Sequence, residues 1–335
     1  MRMKNWMIIV GMFVCRVSIS QDIHFSQFDV FQPKVNPAYA GFMKESYRFS
    51  VINRTQWKAI STPFRTLGVQ AESGNTLNVK GLGLGLTFLS DVAGDSKFTT
   101  NNLSFSAGFH KKLFETRSSI GLAGQISFVQ QSIDYSNLSY NNQYNGLFFD
   151  PSLNHKETFA VDNLSYMDFA LGAVYEYRIS KKESLTLGLA TYNLSTSKVS
   201  LLNDDAVDLD SRTTISGLLD KKINSKISIL PTFIWSVQGS LKEIVIGSRA
   251  RKTLSDKMAD YKALYGGLYW RTNDALYLVL GMDYNEWYGG ISYDINLSSL
   301  SKASNARGGI ELVLVYKIMK FDKNLKTFKS CPVYF

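Results

Sequence analysis

The side chains that most often carry out catalysis are few and scattered in this 335-residue sequence. It contains three histidines, His24, His110 and His155, and two cysteines, Cys15 and Cys331. A nucleophile needs a base within hydrogen-bond reach, and no Ser or Cys motif accompanies any of the histidines. Metal ligands need a defined spacing, which these residues lack. We therefore predict no enzyme activity, no cofactor and no metal site. A lipid-modifying enzyme would require a serine that the fold brings to His110 or His155.

The N-terminus has the pattern of a secretory signal peptide. Arg2 and Lys4 precede an apolar run over 6–15, and small residues occupy the −3 and −1 positions before Gln21. An apolar run of ~10 residues is too short for a membrane anchor. We predict that residues 1–20 are a signal peptide that is removed on export.

The mature chain carries a modest positive charge. The formal net charge is +9, and removal of the signal peptide leaves 34 basic and 28 acidic residues, a charge of +6. These charges are spread along the chain, so nucleic-acid binding is not expected. The one remaining cysteine cannot form an intramolecular disulfide, so the exported fold must be stabilised by packing and backbone pairing.

Period-two alternation dominates the sequence from about residue 45 onward. In 80–90, for example, Leu82, Leu84, Leu86 and Phe88 alternate with small residues. This alternation predicts strands with one apolar face and one small or polar face. There are about fourteen such segments, most of them 10 to 15 residues long. Strands of soluble proteins average ~5–6 residues, whereas membrane-spanning strands need ~9–11.

Strand length and aromatic placement together predict a membrane barrel. Aromatic residues make up 13% of the chain and charged residues 19%, and many rings lie towards strand ends, as in an interfacial girdle. A sheet in hydrocarbon cannot keep open edges. We predict an all-β, transmembrane antiparallel β-barrel of about 14 strands over 45–319, integral to the cell outer membrane and in contact with its lipid, with both termini periplasmic. A soluble β protein is the less favoured alternative.

Long connections are predicted at one end of this barrel. The two longest, 134–165 and 196–211, both fall on the outer side. The first is either an ordered cap or partner contact, or a mobile surface loop. The connection 251–261 would be unusually long for the periplasmic side.

Residues 21–44 precede the barrel and are rich in apolar rings. Those rings belong to Phe25, Phe28, Phe31 and Tyr39. Because this surface is too apolar to stay in water, we expect a periplasmic segment docked on a partner or a plug in the lumen. The glycine face of 81–85 leaves room for a plug, a ligand or an inward-folded loop, and a bend in the wall is the alternative. Arg54 would cost ~2–4 kcal/mol on the lipid face, so it should face the lumen or the rim.

Four short motifs follow one another in a specific order. The mature N-terminus reads QD-x-HFSQ, then come NPA-x-AG, R-x-QW and a Cys-Pro near the C-terminus. In order and spacing they resemble the PorP/SprF family of the Bacteroidetes type IX secretion system, essentially from end to end. The matching residues are Gln21, Asp22, His24, Phe25, Ser26, Gln27, Asn36, Pro37, Ala38, Ala40, Gly41, Arg54, Gln56, Trp57, Cys331 and Pro332.

The resemblance implies a non-enzymatic outer-membrane barrel that works with type IX secretion components. Some members support the secretion and surface attachment of large adhesins, including gliding adhesins. We expect an accessory component that binds the C-terminal domain of such an adhesin or links the outer membrane to the secretion machinery. The residues expected to bind a partner or form the structural motif are Asp22, Phe25, Ser26, Gln27, Asn36, Pro37, Gly41, Arg54, Gln56, Trp57, Cys331 and Pro332. The alternative is a passive channel or hydrophobic-solute transporter, because fourteen strands can enclose a lumen.

The C-terminal tail, 320–335, departs from the usual pattern. Its terminal Phe335 resembles the insertion signal of outer-membrane proteins, which normally closes the last strand. Either the last strand ends later than the alternation indicates, or the tail folds back.

Overall fold

A computed structural model describes residues 24–58, 62–113, 117–154, 156, 161–180, 183–201, 207–257, 260–298 and 301–319. Several predicted features lie outside these residues. They are the signal peptide, Asp22, His155, Cys331, Pro332 and the tail 320–335.

Within the described residues, fourteen strands form one closed barrel. Each strand pairs antiparallel with its neighbours in sequence, and the first pairs with the last. The strands are β1 (Tyr47–Gln56), β2 (Phe64–Gly74), β3 (Leu82–Ala93), β4 (Phe98–Leu113), β5 (Ser118–Ser132), β6 (Asn163–Ser180), β7 (Glu183–Tyr192), β8 (Arg212–Lys222), β9 (Ile227–Gln238), β10 (Leu241–Lys257), β11 (Asp260–Arg271), β12 (Ala275–Tyr284), β13 (Trp287–Asn296) and β14 (Arg307–Ile318). The predicted fold class and strand number are confirmed.

The alternation in each strand separates an apolar outer face from a polar inner face. In β14, the side chains of Ile310, Leu312 and Leu314 are exposed, whereas that of Glu311 is buried. β3 has the same arrangement over its first half, with Leu82, Leu84 and Leu86 outside and Gly83 and Gly85 inside. This is the reverse of a soluble protein, and it is the distribution that suits a wall with lipid outside.

The two ends of the barrel differ in their connections. We call the end where β1 begins and β14 finishes the entry end, and the opposite end the loop end. Both long connections, 133–162 and 193–211, lie at the loop end, as the strand parity predicted. The prediction of a long entry-end connection over 251–261 was wrong, because only two residues separate the end of β10 from the start of β11. Their ends are polar, and backbone pairing outside the lipid band does not require apolar side chains.

The lumen contains residues 24–42, which we call the lumen segment. It begins at the loop end, where His24 Nδ1 lies 3.8 Å from Glu243 Oε2, and reaches the entry end at Gly41, beside Gly83. It includes α1 (Gln32–Val35) and a 3₁₀ turn (Pro37–Tyr39). A second short helix, α2 (Ser301–Ser304), lies between β13 and β14.

None of the helices among the described residues is long and apolar enough to cross a membrane. The membrane orientation of the barrel, with both termini periplasmic, stays a prediction. The described chain starts at the loop end, opposite the end at which β14 finishes.

Candidate functional site in the lumen

The first half of the lumen segment is held by buried charges. The backbone N–H groups of Ser26 and Gln27 donate to the Glu311 carboxylate, at 2.9 and 2.7 Å. Arg54 donates to Glu311 at 3.3 Å, to Asp294 at 2.8 Å and to the Ser26 hydroxyl at 2.9 Å. The Ser26 hydroxyl in turn donates to Asp294 at 2.7 Å. We call these five residues the ionic cluster.

The ionic cluster joins the segment to the seam where the barrel closes. Arg54 belongs to β1, Asp294 to β13 and Glu311 to β14. The Arg54 side chain is only 2% exposed. Arg54 therefore faces the lumen, as predicted from the cost of a charge on the lipid face. A charge buried this deeply requires opposite charges and hydrogen bonds around it, and the two carboxylates and Ser26 supply them.

Further charged contacts extend this anchoring around the wall. Arg271 donates to Asp274 at 2.8 Å and lies 3.7 Å from Glu243. Arg249 pairs with Asp29 of the lumen segment. Arg271 also donates to the Ser26 hydroxyl at 3.4 Å, so the chain between Phe25 and α1 is joined to β10 through Arg249 and to β11 through Arg271.

Apolar packing accompanies the charges. Phe25 and Phe31 pack together, with ring centroids 5.2 Å apart. They form a buried cluster with wall residues of β1, β3, β13 and β14, namely Ile52, Leu89, Tyr288, Val313 and Val315, together with Val30 of the segment. The aromatic residues that could not have stayed in water are therefore enclosed by the barrel.

The second half of the segment is held mainly by neutral contacts, besides a hydrogen bond of 3.2 Å from the Arg212 guanidinium to the Lys34 carbonyl. The Asn36 amide donates to the carbonyls of Ala173 and Leu189, at 2.8 and 3.2 Å, and its oxygen accepts from Ala38 N at 2.9 Å. Asn36 is extended, with φ −157°, as expected for a residue before proline. A side chain at Gly172 would overlap the Asn36 oxygen.

The chain leaves the lumen through a close approach to the wall. His110 Nε2 bonds to the Ala38 carbonyl at 2.9 Å, and Tyr39 OH lies 3.1 Å from the Ser216 hydroxyl. Gly41 has φ +68° and packs against the backbone of Gly83. The glycine face of β3 therefore packs against the lumen segment. Of the plug, ligand or inward-folded loop that the sequence allowed at this face, the structure has a plug.

The structure brings some of the sequence-predicted residues together and separates others. Ser26, Gln27 and Arg54 meet in the ionic cluster, whereas Gln56 and Trp57 line a small cavity at the loop end, with Asp294 of the cluster and the start of β14. Phe25 is in the aromatic packing, and Asn36, Pro37 and Gly41 line the path towards the entry end. Asp22, Cys331 and Pro332 are outside the described residues.

Several anchoring residues were not identified as site residues from the sequence. Asp294 and Glu311 were recognisable as charges on the inner face of strands, but nothing in the sequence assigned them to Arg54 or Ser26. Arg249, Arg271 and His110 gave no such signal. A charged residue inside a strand is the pattern that could have found Arg249, whereas Arg271 is the last residue of β11.

Among the described residues, no group of three or more His, Cys, Asp or Glu could hold a metal ion. His110 is engaged with a backbone carbonyl, and His24 lies beside Glu243.

A cavity of about 80 Å³ lies between the segment and the loop-end wall, with Phe28 and Val35 on one side and Ile234 and Leu241 on the other.

Comparison with solved structures shows the barrel fold. A deletion mutant of the TodX monoaromatic hydrocarbon channel superposes with a TM-score of 0.50 and 10% identity, over 85% of this chain and 93% of that one. The toluene transporter TbuX of Ralstonia pickettii gives 0.49 and 11%, over 85% and 92%. A FadL homologue of Pseudomonas aeruginosa gives 0.47 and 9%, over 84% and 92%. A search of curated proteins gave no significant match.

A family comparison identifies the chain more closely. Residues 17–316 match the profile described as type IX secretion system membrane protein PorP/SprF. This family and the membrane-barrel fold together make the protein an integral component of the outer membrane. Since the match covers most of the chain and includes the motifs around Ser26, Asn36 and Arg54, this barrel belongs to the PorP/SprF family of type IX secretion system membrane proteins.

Proposed function

We propose that this barrel is a non-enzymatic accessory component of type IX secretion that supports export or surface attachment of a large adhesin. It does so by binding the C-terminal domain of the adhesin or by linking the outer membrane to the secretion machinery. The observation that carries the proposal is the anchoring of residues 24–42 inside the lumen, on both halves of the wall. A barrel whose interior holds a fixed segment of its own chain acts through its surfaces.

The family motifs then have a structural role. His24 to Gln27, Asn36 to Gly41 and Arg54 hold the lumen segment in place. The proposed partner contacts lie elsewhere: on the loop-end connections, which face outward in the proposed orientation, and in Asp22, Cys331 and Pro332. In this proposal the domain boundaries are a signal peptide over 1–20, a plug within 21–44, the barrel and a C-terminal tail.

Deletion of residues 24–41, with the signal peptide retained, tests this function. Secretion of the cognate adhesin should fall to background while the barrel remains in the outer membrane, because the surfaces it presents depend on the filled lumen. The amount and the heat-modifiable gel shift of the barrel provide the control for assembly. Normal adhesin secretion by the assembled deletion variant would refute the proposal.

The cavity beside Phe28 and Leu241 favours a second function, transport of a small hydrophobic solute. The TodX channel, whose fold is similar, is named as a monoaromatic hydrocarbon channel. Uptake of radiolabelled toluene into vesicles that contain the purified barrel separates the two functions. Accessory function predicts uptake equal to that of empty vesicles, and transport predicts a protein-dependent rate.

A further inference from the structure

The long connection 133–162 presents an apolar tip at the loop end. The tip is the hairpin turn 144–149, closed by a β-bridge between its first and last residues. Leu147 is 85% exposed and Phe148 is 60% exposed. Apolar side chains presented together at a surface indicate a site of interaction.

The tip is held in shape by its own hydrogen bonds. The Asn145 side-chain oxygen accepts from the backbone N–H groups of Leu147 and Phe148, both at 3.0 Å. At the base of the turn, the buried Gln143 amide donates to the Leu153 carbonyl at 3.3 Å. A loop ordered before binding loses less conformational entropy when a partner arrives.

The composition of the loop is that of a protein-binding surface. Residues 135–149 contain no charged residue, and ten of the fifteen are Tyr, Ser, Asn or Gly. Antibody binding loops are enriched in the same four residues, because tyrosine gives rigid contact area and the others give adaptable hydrogen bonds. Without positive charge, the tip lacks the electrostatic attraction to anionic lipid that membrane-binding surfaces use.

The wall beneath the loop separates the tip from the lipid. Across β4, β5 and β6 the last apolar outward row consists of Leu103, Phe128 and Met167. The two outward rows nearer the loop contain only uncharged polar residues, Asn101, Gln130 and Ser165, then Thr99, Ser132 and Asn163. A strand rises ~3.3 Å per residue, so the loop starts about four residues beyond the last contact with lipid tails.

We propose that the tip 144–149 is a preformed binding loop for a folded protein outside the bilayer. That partner offers an uncharged apolar pocket to Leu147 and Phe148 and polar groups to the surrounding Asn and Tyr side chains. The inference rests on the proposed function in taking the C-terminal domain of the exported adhesin as this partner.

A binding measurement with matched variants tests the proposal. The affinity of the purified C-terminal domain of an adhesin secreted by the type IX system is measured for the full-length, detergent-solubilised barrel. In the variant L147N/F148N we expect a Kd raised about tenfold or more, because buried aromatic and apolar anchors dominate protein interfaces. The control is Leu77→Asn at the entry end, where Leu77 is 81% exposed, and its Kd should be unchanged.

The outcomes separate the tip from the wider function. Equal affinities for wild type and L147N/F148N would overturn the tip proposal and leave the proposed function standing. No binding to the wild-type barrel would overturn both in their adhesin-binding form. A photo-crosslinking residue at Phe148 in native membranes should capture that C-terminal domain, and capture of lipid alone would overturn the proposal.

Discussion

The two halves of the lumen segment are fixed by different physical means. Residues 24–32 meet β1 and β10 to β14 mainly through buried charges, as in the contact of Arg54 with Glu311. Residues 33–42 meet β3 to β8 mainly through neutral hydrogen bonds and close contact with glycines, as Asn36 does beside Gly172. A charged donor also contacts this half, because Arg212 of β8 donates to the Lys34 carbonyl at 3.2 Å.

The two halves therefore have different roles: the charged half sets the position of the segment, and the neutral half depends on close packing. A buried ion pair contributes little net stability, because desolvation offsets the attraction, but removing one partner is strongly destabilising. The charged half therefore selects one position of the segment against all others. The neutral half depends on shape, since its contacts fail when either surface gains a few atoms.

The largest expected contrast between the two halves is the side of the membrane from which their outer ends can be labelled. In a Cys331→Ser background, His24→Cys and Leu147→Cys should both react with a membrane-impermeant maleimide added from the loop-end side of oriented vesicles. Lys44→Cys should react only from the entry-end side, because the segment crosses the lumen between them. Labelling of His24→Cys from the entry-end side alone would contradict this path.

Loss of Arg54 should cause the largest change in stability. Among the described residues, Arg54→Met leaves Glu311 buried without its counter-charge and leaves Asp294 with Arg271 as its remaining cation, at 3.8 Å. We expect the free energy of unfolding in lipid vesicles to fall by about 3–5 kcal/mol. Urea titration followed by tryptophan fluorescence measures it. The control is Arg65→Met, because Arg65 is exposed on β2. A loss below about 1 kcal/mol in Arg54→Met would mean that the ionic cluster is not an anchor.

A smaller effect is expected from added volume in the neutral half. Gly172→Ala puts a methyl group into the space of the Asn36 oxygen, which should cost about 1–3 kcal/mol in the same titration. Gly124→Ala on β5 is the matched control, because its methyl group would meet nothing nearer than 3.9 Å. Equal stabilities of the two variants would argue against close packing of the segment.

An effect of similar size should follow from loss of the Asn36 side chain. Asn36→Ala removes three hydrogen bonds but leaves no buried charge, so we expect about 1–3 kcal/mol. Limited proteolysis should then cut the segment near the entry end before it cuts near Ser26. Simultaneous cleavage at both places would show that the two halves are held as one unit.

The sequence was sufficient for the wall but not for its contents. Alternation such as that of 80–90 predicted the strands, their inner and outer faces and the burial of Arg54, because a strand has a strict period of two. The meeting of Ser26 with Glu311, 285 positions away, depends on barrel closure and on the register of every strand between them. The polar ends of β10 and β11 were missed because hydropathy does not report backbone pairing.

The central claim is that the lumen segment blocks the lumen of the barrel. Single-channel recording in planar bilayers tests this claim most directly. The purified wild-type barrel should give no stable conductance steps, and the variant lacking residues 24–41 should give steady open currents once its gel shift shows a folded barrel. Stable currents of equal size from both proteins would contradict the claim.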